Sequence, residues 1–108
     1  MQTSNFARNS KHPNAVSISQ GAPWWYKGRR YMPLAPSREL IKLVEDESLY
    51  RRLYYEQVLS RLDPKQTYSE LGPDAIMLCW ESPGKFCHRR LVAEWLENAL
   101  GIKIDEKL

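Results

Sequence analysis

The apolar run of residues 75–80, AIMLCW, constrains the fold more than any other feature of the sequence. Turn-forming pairs bound it on both sides, Gly72-Pro73 before it and Pro83-Gly84 after it. A short apolar run without alternation is typical of a strand that is buried on both faces. The sequence therefore predicts a sheet with other elements packed against it.

Periodicity, caps and turn residues predict the remaining elements. Strands are expected near residues 1–6, at 15–19 and at 102–104, helices at 38–46, 48–62 and 86–100, and loops at 8–14 and 20–36. Thr67 and Glu70 fit a capping box for a single helical turn. Because 108 residues suit one domain, we expect a single α/β domain over residues 1–108, with helices covering a small, mostly parallel sheet.

The segment from 79 to 90 leads from the buried strand into the last helix. Ligands of open α/β sheets bind beyond the carboxyl ends of the strands, so this strand-to-helix corner is the expected site. One residue separates Cys79 from Glu81, which places both side chains on the same side of an extended chain. In the first helical turn, Arg89 and Arg90 add positive charge to the helix N-terminus, a combination that favours binding of phosphate or carboxylate.

The same corner permits three other interpretations. Cys79, Cys87 and the arginines could serve packing and solvation alone. The positive field would favour the thiolate of Cys87 and make it a nucleophile, with Glu81 or His88 as acid or base. Zinc could bind Cys79, Cys87 and His88, but the spacing is not that of a zinc knuckle or ribbon, and His12 or Glu81 would have to complete the set.

We assign no metal and no cofactor from the sequence. The chain shows no export signal, so we interpret the two cysteines as reduced thiols.

The loop of residues 20–36 combines aromatic and basic side chains around Gly28. Aromatic rings stack on bases and cations meet phosphates, so the loop predicts a contact surface for nucleotides or nucleic acid. The aromatics could instead hold a proline-rich loop against the domain. Both hold if the tryptophans face inward and the arginines outward. The residues concerned are Trp24, Trp25, Lys27, Arg29 and Arg30.

Composition adds weaker constraints. Hydrophobic residues make up 43% and charged residues 27%, as in ordinary globular proteins, and the net charge of +3 is too small to identify an anionic partner. No apolar run is long enough for a signal peptide or a membrane span, so we expect a cytoplasmic protein with no membrane partner.

Three segments of the sequence resemble a known family. They are SISQGAPWWYKGRRYMPLAPSRELIKL, LDPKQTYSELG and AIMLCWESPGKFCHRRLVAEWL, and the similarity covers residues 1–104. The chain resembles the domain of unknown function 488 family, small proteins common in bacteria and their phages. The family pattern C-x-E followed by C-H-R matches Cys79, Glu81, Cys87, His88 and Arg89. The resemblance implies a compact α/β fold with these residues at one site, and it leaves the activity open.

These observations favour one function and leave two alternatives. The first is binding of a phosphate-bearing ligand, a nucleotide or nucleic acid, at the corner of residues 79–90, with Trp24 to Arg30 closing over it. The second is an enzyme that acts on a nucleotide or modified base through Glu81, Cys87 and His88. The third is a phage-type effector that binds a host protein through the loop of residues 24–31. The sequence does not decide whether the protein is an enzyme.

Overall fold

A computed structural model describes residues 1–81 and 86–108 of the chain. Within these residues, five strands form one sheet in which every pairing is parallel. The strands are β1 (Gln2–Asn5), β2 (Ala15–Ser17), β3 (Arg29–Arg30), β4 (Ile76–Cys79) and β5 (Asp105–Glu106). Their order across the sheet is β3-β2-β4-β1-β5, so the predicted buried strand β4 lies at the centre. The expected α/β class is confirmed, with a sheet that is parallel throughout.

The helices follow from local capping and periodicity. They are α1 (Phe6–Asn9), α2 (Arg38–Ile41), α3 (Glu47–Gln57), α4 (Pro64–Leu71) and α5 (His88–Leu100), with 3-10 turns at Met32–Leu34 and Leu59–Arg61. The side chain of Ser37 accepts from the backbone N–H of Leu40 and starts α2. Gly101 ends α5 with φ of 68°, a left-handed conformation that glycine adopts without a Cβ clash.

Alternate residues of the strands point to opposite faces of the sheet. Met77 and Val16 belong to the larger core, which α3, α4 and α5 help to form, whereas Ile76 and Leu78 pack with Phe6 on the other face. The smaller core also contains Ala15, Tyr26 and, at its edge, Ala22. The central strand is therefore covered on both sides, as its composition predicted.

Several predicted boundaries were wrong. The helix expected at 38–46 is α-helical only to Ile41 and continues as turns, while the helix expected at 48–62 ends at Gln57 and is followed by the 3-10 turn. The single turn expected at Thr67 is a full helix, because Pro64 occupies its first position, where a missing N–H costs nothing. The loop expected at 8–14 begins inside α1, and Asn5 caps that helix by accepting from the N–H of Arg8.

The two ends of the chain also differ from expectation. The last strand is Asp105–Glu106 rather than 102–104, since pairing with β1 selects it. The long loop contains β3, which pairs with β2. The expected turn at Pro83-Gly84 and the cation of Lys85 lie outside the described residues. In the part of the chain that the structure describes, no helix is both long and apolar enough to cross a membrane.

Candidate functional site

A cavity of about 120 Å³ lies beyond the carboxyl ends of β2 and β4, next to the start of α5. The parallel register aligns Asn5 with Cys79 and Ser17 with Leu78, so the ends of three strands meet at this edge. The described residues around the cavity are Ser19, Gln20, Gly21, Pro36, Ile41, Val44, Tyr50, Cys79, Trp80, Glu81, Phe86, Cys87 and His88. The structure thus brings together Cys79, Glu81, Cys87 and His88, which the sequence singled out.

Cys79 and Cys87 meet in this cavity. Their Sγ atoms are in bonding contact, as in a disulfide, so the expectation of two separate thiols was wrong. The strand end and the helix N-cap bring them together across eight positions of sequence. Their Cα atoms lie 7.3 Å apart, whereas disulfides usually span about 4.4–6.8 Å between Cα atoms.

His88 is the first residue of α5 and is buried. Its Nε2 lies 2.7 Å from the carbonyl oxygen of Ile18, which can only accept, so Nε2 carries the proton and Nδ1 offers a lone pair. Nδ1 lies 3.7 Å from Sγ of Cys87. Burial lowers the pKa of His88 to about 4, although the bond to Ile18 opposes this, and the nearby charge of Arg89 lowers the pKa further. At neutral pH the ring is therefore an uncharged imidazole.

The hydroxyl of Ser19 is a buried polar group at the cavity. The residue is only 5% exposed, and among the described residues its buried hydroxyl has no hydrogen-bond partner. A buried polar group without a partner costs about 1–3 kcal/mol, so a ligand or solvent oxygen in the cavity would stabilise it.

Arg89 points into the fold rather than toward a ligand. Only 1% of the residue is exposed, and its Nη2 lies 2.6 Å from Oε2 of Glu106. Nη1 donates to Sγ of Cys79 at 2.9 Å and to the carbonyl oxygen of Glu81 at 2.8 Å. Because these groups occupy the guanidinium, its contacts argue against the expected role as the cation of an open anion site.

Arg90 and Glu81 occupy the margins of the corner. Arg90 donates from Nη1 to Oγ1 of Thr3 and to the carbonyl oxygen of Ile104, so it also serves the fold. Glu81 is exposed at the cavity, and the side chain of Asn5 holds its backbone carbonyl at 3.1 Å. The carboxylate of Glu81 is therefore placed where a ligand could reach it.

In the loop of residues 20–36, the tryptophans do not face inward as expected. Trp24 is 93% exposed and Trp25 is 42% exposed, whereas Tyr26 is buried against Phe6 with ring centroids 5.3 Å apart. The expected inward tryptophans were wrong, because Tyr26 is the aromatic residue of this stretch that packs inward, and its hydroxyl donates to the carbonyl oxygen of Arg29 at 2.7 Å. Lys27, Arg29 and Arg30 are exposed, as expected.

Sequence reasoning missed part of this surface. Two shallow grooves of about 410 and 550 Å³ adjoin Trp25, and Lys11 lines both. Arg8 lines one groove, and His12, Lys27 and Arg29 line the other. We call this surface the Trp25 face; it consists of Arg8, Lys11, His12, Trp25, Lys27 and Arg29, together with Trp24, the exposed neighbour of Trp25 in the chain. His12 lies there and does not line the Cys79–Cys87 cavity, although it was a candidate zinc ligand.

A sequence signal for the missed residues exists. Residues 1–38 contain six lysines and arginines and no aspartate or glutamate, so they carry a charge of +6. Because the whole chain carries +3, residues 39–108 carry −3. Counting charge by segment would have predicted that Arg8 and Lys11 belong to the same basic surface as the loop.

Comparisons with protein-family models, with curated proteins and with solved structures found no match. The resemblance to the domain of unknown function 488 family therefore stays a prediction. Any function must be argued from the cavity and from the Trp25 face.

Proposed function

We propose that the protein binds single-stranded nucleic acid on the Trp25 face. The observation that carries the proposal is the exposure of Trp25 among cationic side chains, with the still more exposed Trp24 next to it in the chain. A ring that is 93% exposed, as that of Trp24 is, contributes little to folding, yet it offers a flat surface on which an unpaired base can stack. Stacking contributes about 1–3 kcal/mol for each base.

The charge of this face supports the same ligand. Arg8, Lys11 and Lys27 are exposed, and none of them takes part in a salt bridge among the described residues. Arg29 uses its guanidinium nitrogens on the carbonyl oxygens of Glu70 and Leu71, which positions it at the edge of the sheet. Cations beside exposed rings suit a phosphate backbone whose bases are unpaired.

This proposal moves the phosphate contacts away from Arg89. The cations expected at the corner of residues 79–90 are bound within the fold, whereas Lys27 and Arg30 of the loop are exposed. The corner and the Trp25 face are connected, because Phe6 packs against both Trp80 and Tyr26.

Fluorescence anisotropy with a labelled twelve-nucleotide single strand tests the proposal. With three or four phosphates contacted, affinity should fall by about 20- to 50-fold between 50 and 200 mM salt. Trp24→Ala should weaken binding by about 5- to 150-fold. The control Tyr55→Ala removes an exposed ring from α3 and should leave binding unchanged.

A charge variant adds a second readout. Lys27→Gln should reduce the slope of log affinity against log salt by about 0.7, the value for one single-strand phosphate. Lys42→Gln, an exposed lysine after α2, is its control. Absence of binding at 50 mM salt, or equal loss in Trp24→Ala and Tyr55→Ala, would overturn the proposal. Salt-independent capture of a host protein through Trp24 would favour the protein-interaction hypothesis instead.

A second candidate function is an enzyme that acts on a nucleotide or modified base in the cavity. It is favoured by three groups that line the same cavity: the carboxylate of Glu81, the neutral imidazole of His88 and the hydroxyl of Ser19, which has no partner among the described residues. A neutral imidazole and a carboxylate at one cavity are groups that transfer protons. Turnover of a nucleoside substrate should be lost in Glu81→Gln while the unfolding curve stays unchanged, and retained turnover in that variant would exclude the role.

A further inference from the structure

The side chains of Cys79, Cys87 and His88 form a cluster that nucleic-acid binding does not use. Two sulfurs and one ring nitrogen, each from a buried residue, lie within 4.8 Å of one another. They come from the end of β4 and the start of α5, two elements whose side chains pack into the larger core. Two thiolates and an imidazole are ligands that favour zinc over hard cations such as magnesium.

The position of His88 is that of a metal ligand. Metal-binding histidines usually donate their second ring N–H to a carbonyl or carboxylate, which fixes the other nitrogen as the ligand. Here Nε2 donates to Ile18 at 2.7 Å, so the Nδ1 lone pair faces the sulfurs. Nδ1 lies 3.7 Å from Sγ of Cys87, and sulfur and nitrogen ligands of one tetrahedral zinc lie about 3.6 Å apart.

The surroundings of Cys79 favour a thiolate. Nη1 of Arg89 donates to its Sγ at 2.9 Å from a side chain that is itself buried. A hydrogen bond from a cation stabilises negative charge on sulfur, and it offsets part of the charge that two thiolates bring to a metal.

The backbone separation of the cysteines is also compatible with a shared ion. Thiolates bound to one tetrahedral zinc hold their sulfurs about 3.8 Å apart, farther than in a disulfide. The Cα separation of 7.3 Å is longer than disulfides usually span, which is about 4.4–6.8 Å. Side-chain rotation at Cys79 and Cys87 could open the sulfur contact without moving β4 away from α5.

We propose that the reduced protein binds one zinc ion through Cys79, Cys87 and Nδ1 of His88, with a fourth position open to the cavity. Three protein ligands with one exchangeable position are typical of zinc sites that bind water or substrate. Ser19 and Glu81 line the same cavity, where they could hydrogen-bond the fourth ligand. The site requires both sulfurs as thiolates. An added phosphine breaks the sulfur–sulfur bond and is oxidised to its oxide, with water supplying the oxygen and the two thiol protons. The metal then displaces these two protons as it binds.

Titration with Co²⁺ tests the site. The protein is reduced with a phosphine, freed of reductant and metal, and titrated without oxygen. Wild-type protein should bind one Co²⁺ per chain with a thiolate charge-transfer band and tetrahedral visible bands, and Zn²⁺ should displace it. Cys87→Ser should show a weaker charge-transfer band, because one of the two thiolate ligands is gone. His88→Gln should bind Co²⁺ at least about 10-fold more weakly than wild type. The matched control His12→Gln changes the other histidine of the chain and should bind as wild type.

A second measurement uses only the wild-type chain, so it does not depend on whether the variants fold. Zn²⁺ should slow alkylation of both cysteines at least about tenfold, because a bound thiolate is a poor nucleophile. The absence of a charge-transfer band in reduced wild-type protein, a band of full wild-type intensity in folded Cys87→Ser, or alkylation at the same rate with and without Zn²⁺ would each overturn the proposal. None of these results depends on nucleic-acid binding.

Discussion

Arg89 and Glu106 form an ion pair in which Nη2 lies 2.6 Å from Oε2, and the side chains are 1% and 20% exposed. Nε of Arg89 donates to both carboxylate oxygens, at 3.1 and 3.2 Å. The pair joins the start of α5 to the edge strand β5. It also leaves Nη1 of Arg89 directed at Cys79, so the edge of the sheet helps to position the cavity.

The first prediction concerns the strength of this pair. Glu106→Gln should lower the free energy of unfolding by about 1.5–3 kcal/mol, because it leaves a buried guanidinium with a weaker acceptor. Urea unfolding followed by far-ultraviolet circular dichroism measures the change. Asp105→Asn is the control, since its bond to Lys103 is exposed and contributes about 0–1 kcal/mol. Equal losses in the two variants would contradict the prediction.

The second prediction is the pH dependence of the same pair. Burial alone would raise the pKa of Glu106, but hydrogen bonds from Arg89 and Thr3 and the charges of Arg89 and Arg90 hold the pKa below its usual value of 4.5. The stabilisation is therefore complete above pH 4.5 and is lost as pH falls through the lower, folded-state pKa.

The difference in unfolding free energy between wild type and Glu106→Gln should thus stay constant from pH 7 to about 5 and shrink below 4.5. Urea unfolding of both proteins at matched pH values measures it. A difference that persists undiminished to pH 2 would show that the carboxylate charge does not contribute.

The third prediction concerns Tyr54, whose hydroxyl donates to the carbonyl oxygen of Leu34 at 2.6 Å in the core. Tyr54→Phe leaves that carbonyl buried without its donor and should cost about 1–3 kcal/mol. Tyr55→Phe, the neighbouring and half-exposed tyrosine, should change stability by less than about 0.5 kcal/mol. Thermal and urea unfolding compare the two, and the prediction fails if Tyr55→Phe is the more harmful.

The fourth prediction connects a glycine to the Trp25 face. A Cβ at Gly28 would collide with the ring and hydroxyl of Tyr26, which anchors the loop. Gly28→Ala should therefore cost about 1–3 kcal/mol and weaken oligonucleotide binding. Gly21→Ala meets no atom within 4 Å and is the control for both measurements. Wild-type stability in Gly28→Ala would contradict the prediction, because it would mean that the loop accommodates the added Cβ while Tyr26 stays buried.

Local sequence predicted those elements whose residues form a periodic pattern or a run bounded by turn residues. The apolar run around Met77 predicted a central strand, and the spacing of apolar residues up to Leu100 predicted α5. The expected ends of α2 and α3 were wrong, because capping and periodicity leave the last turn of a helix to its tertiary contacts.

The candidate site could be predicted only in part. The sequence indicated that Cys79, Glu81, Cys87 and His88 share one corner, because strand ends and helix starts meet there. It did not indicate that Arg89 turns inward, since its partner Glu106 lies 17 residues away on a two-residue strand with no pattern of its own.

The sequence by itself determined the class of the fold, the central strand and the corner at which the chemical groups gather, because these depend on short-range periodicity and on the rule that ligands meet strand ends. Only the tertiary structure decided which side chains face water. It placed Tyr26 inward and Trp24 outward in a loop without periodicity, and it placed Arg89 beside Cys79. Both choices depend on partners distant in the chain, whose burial outweighs any local preference.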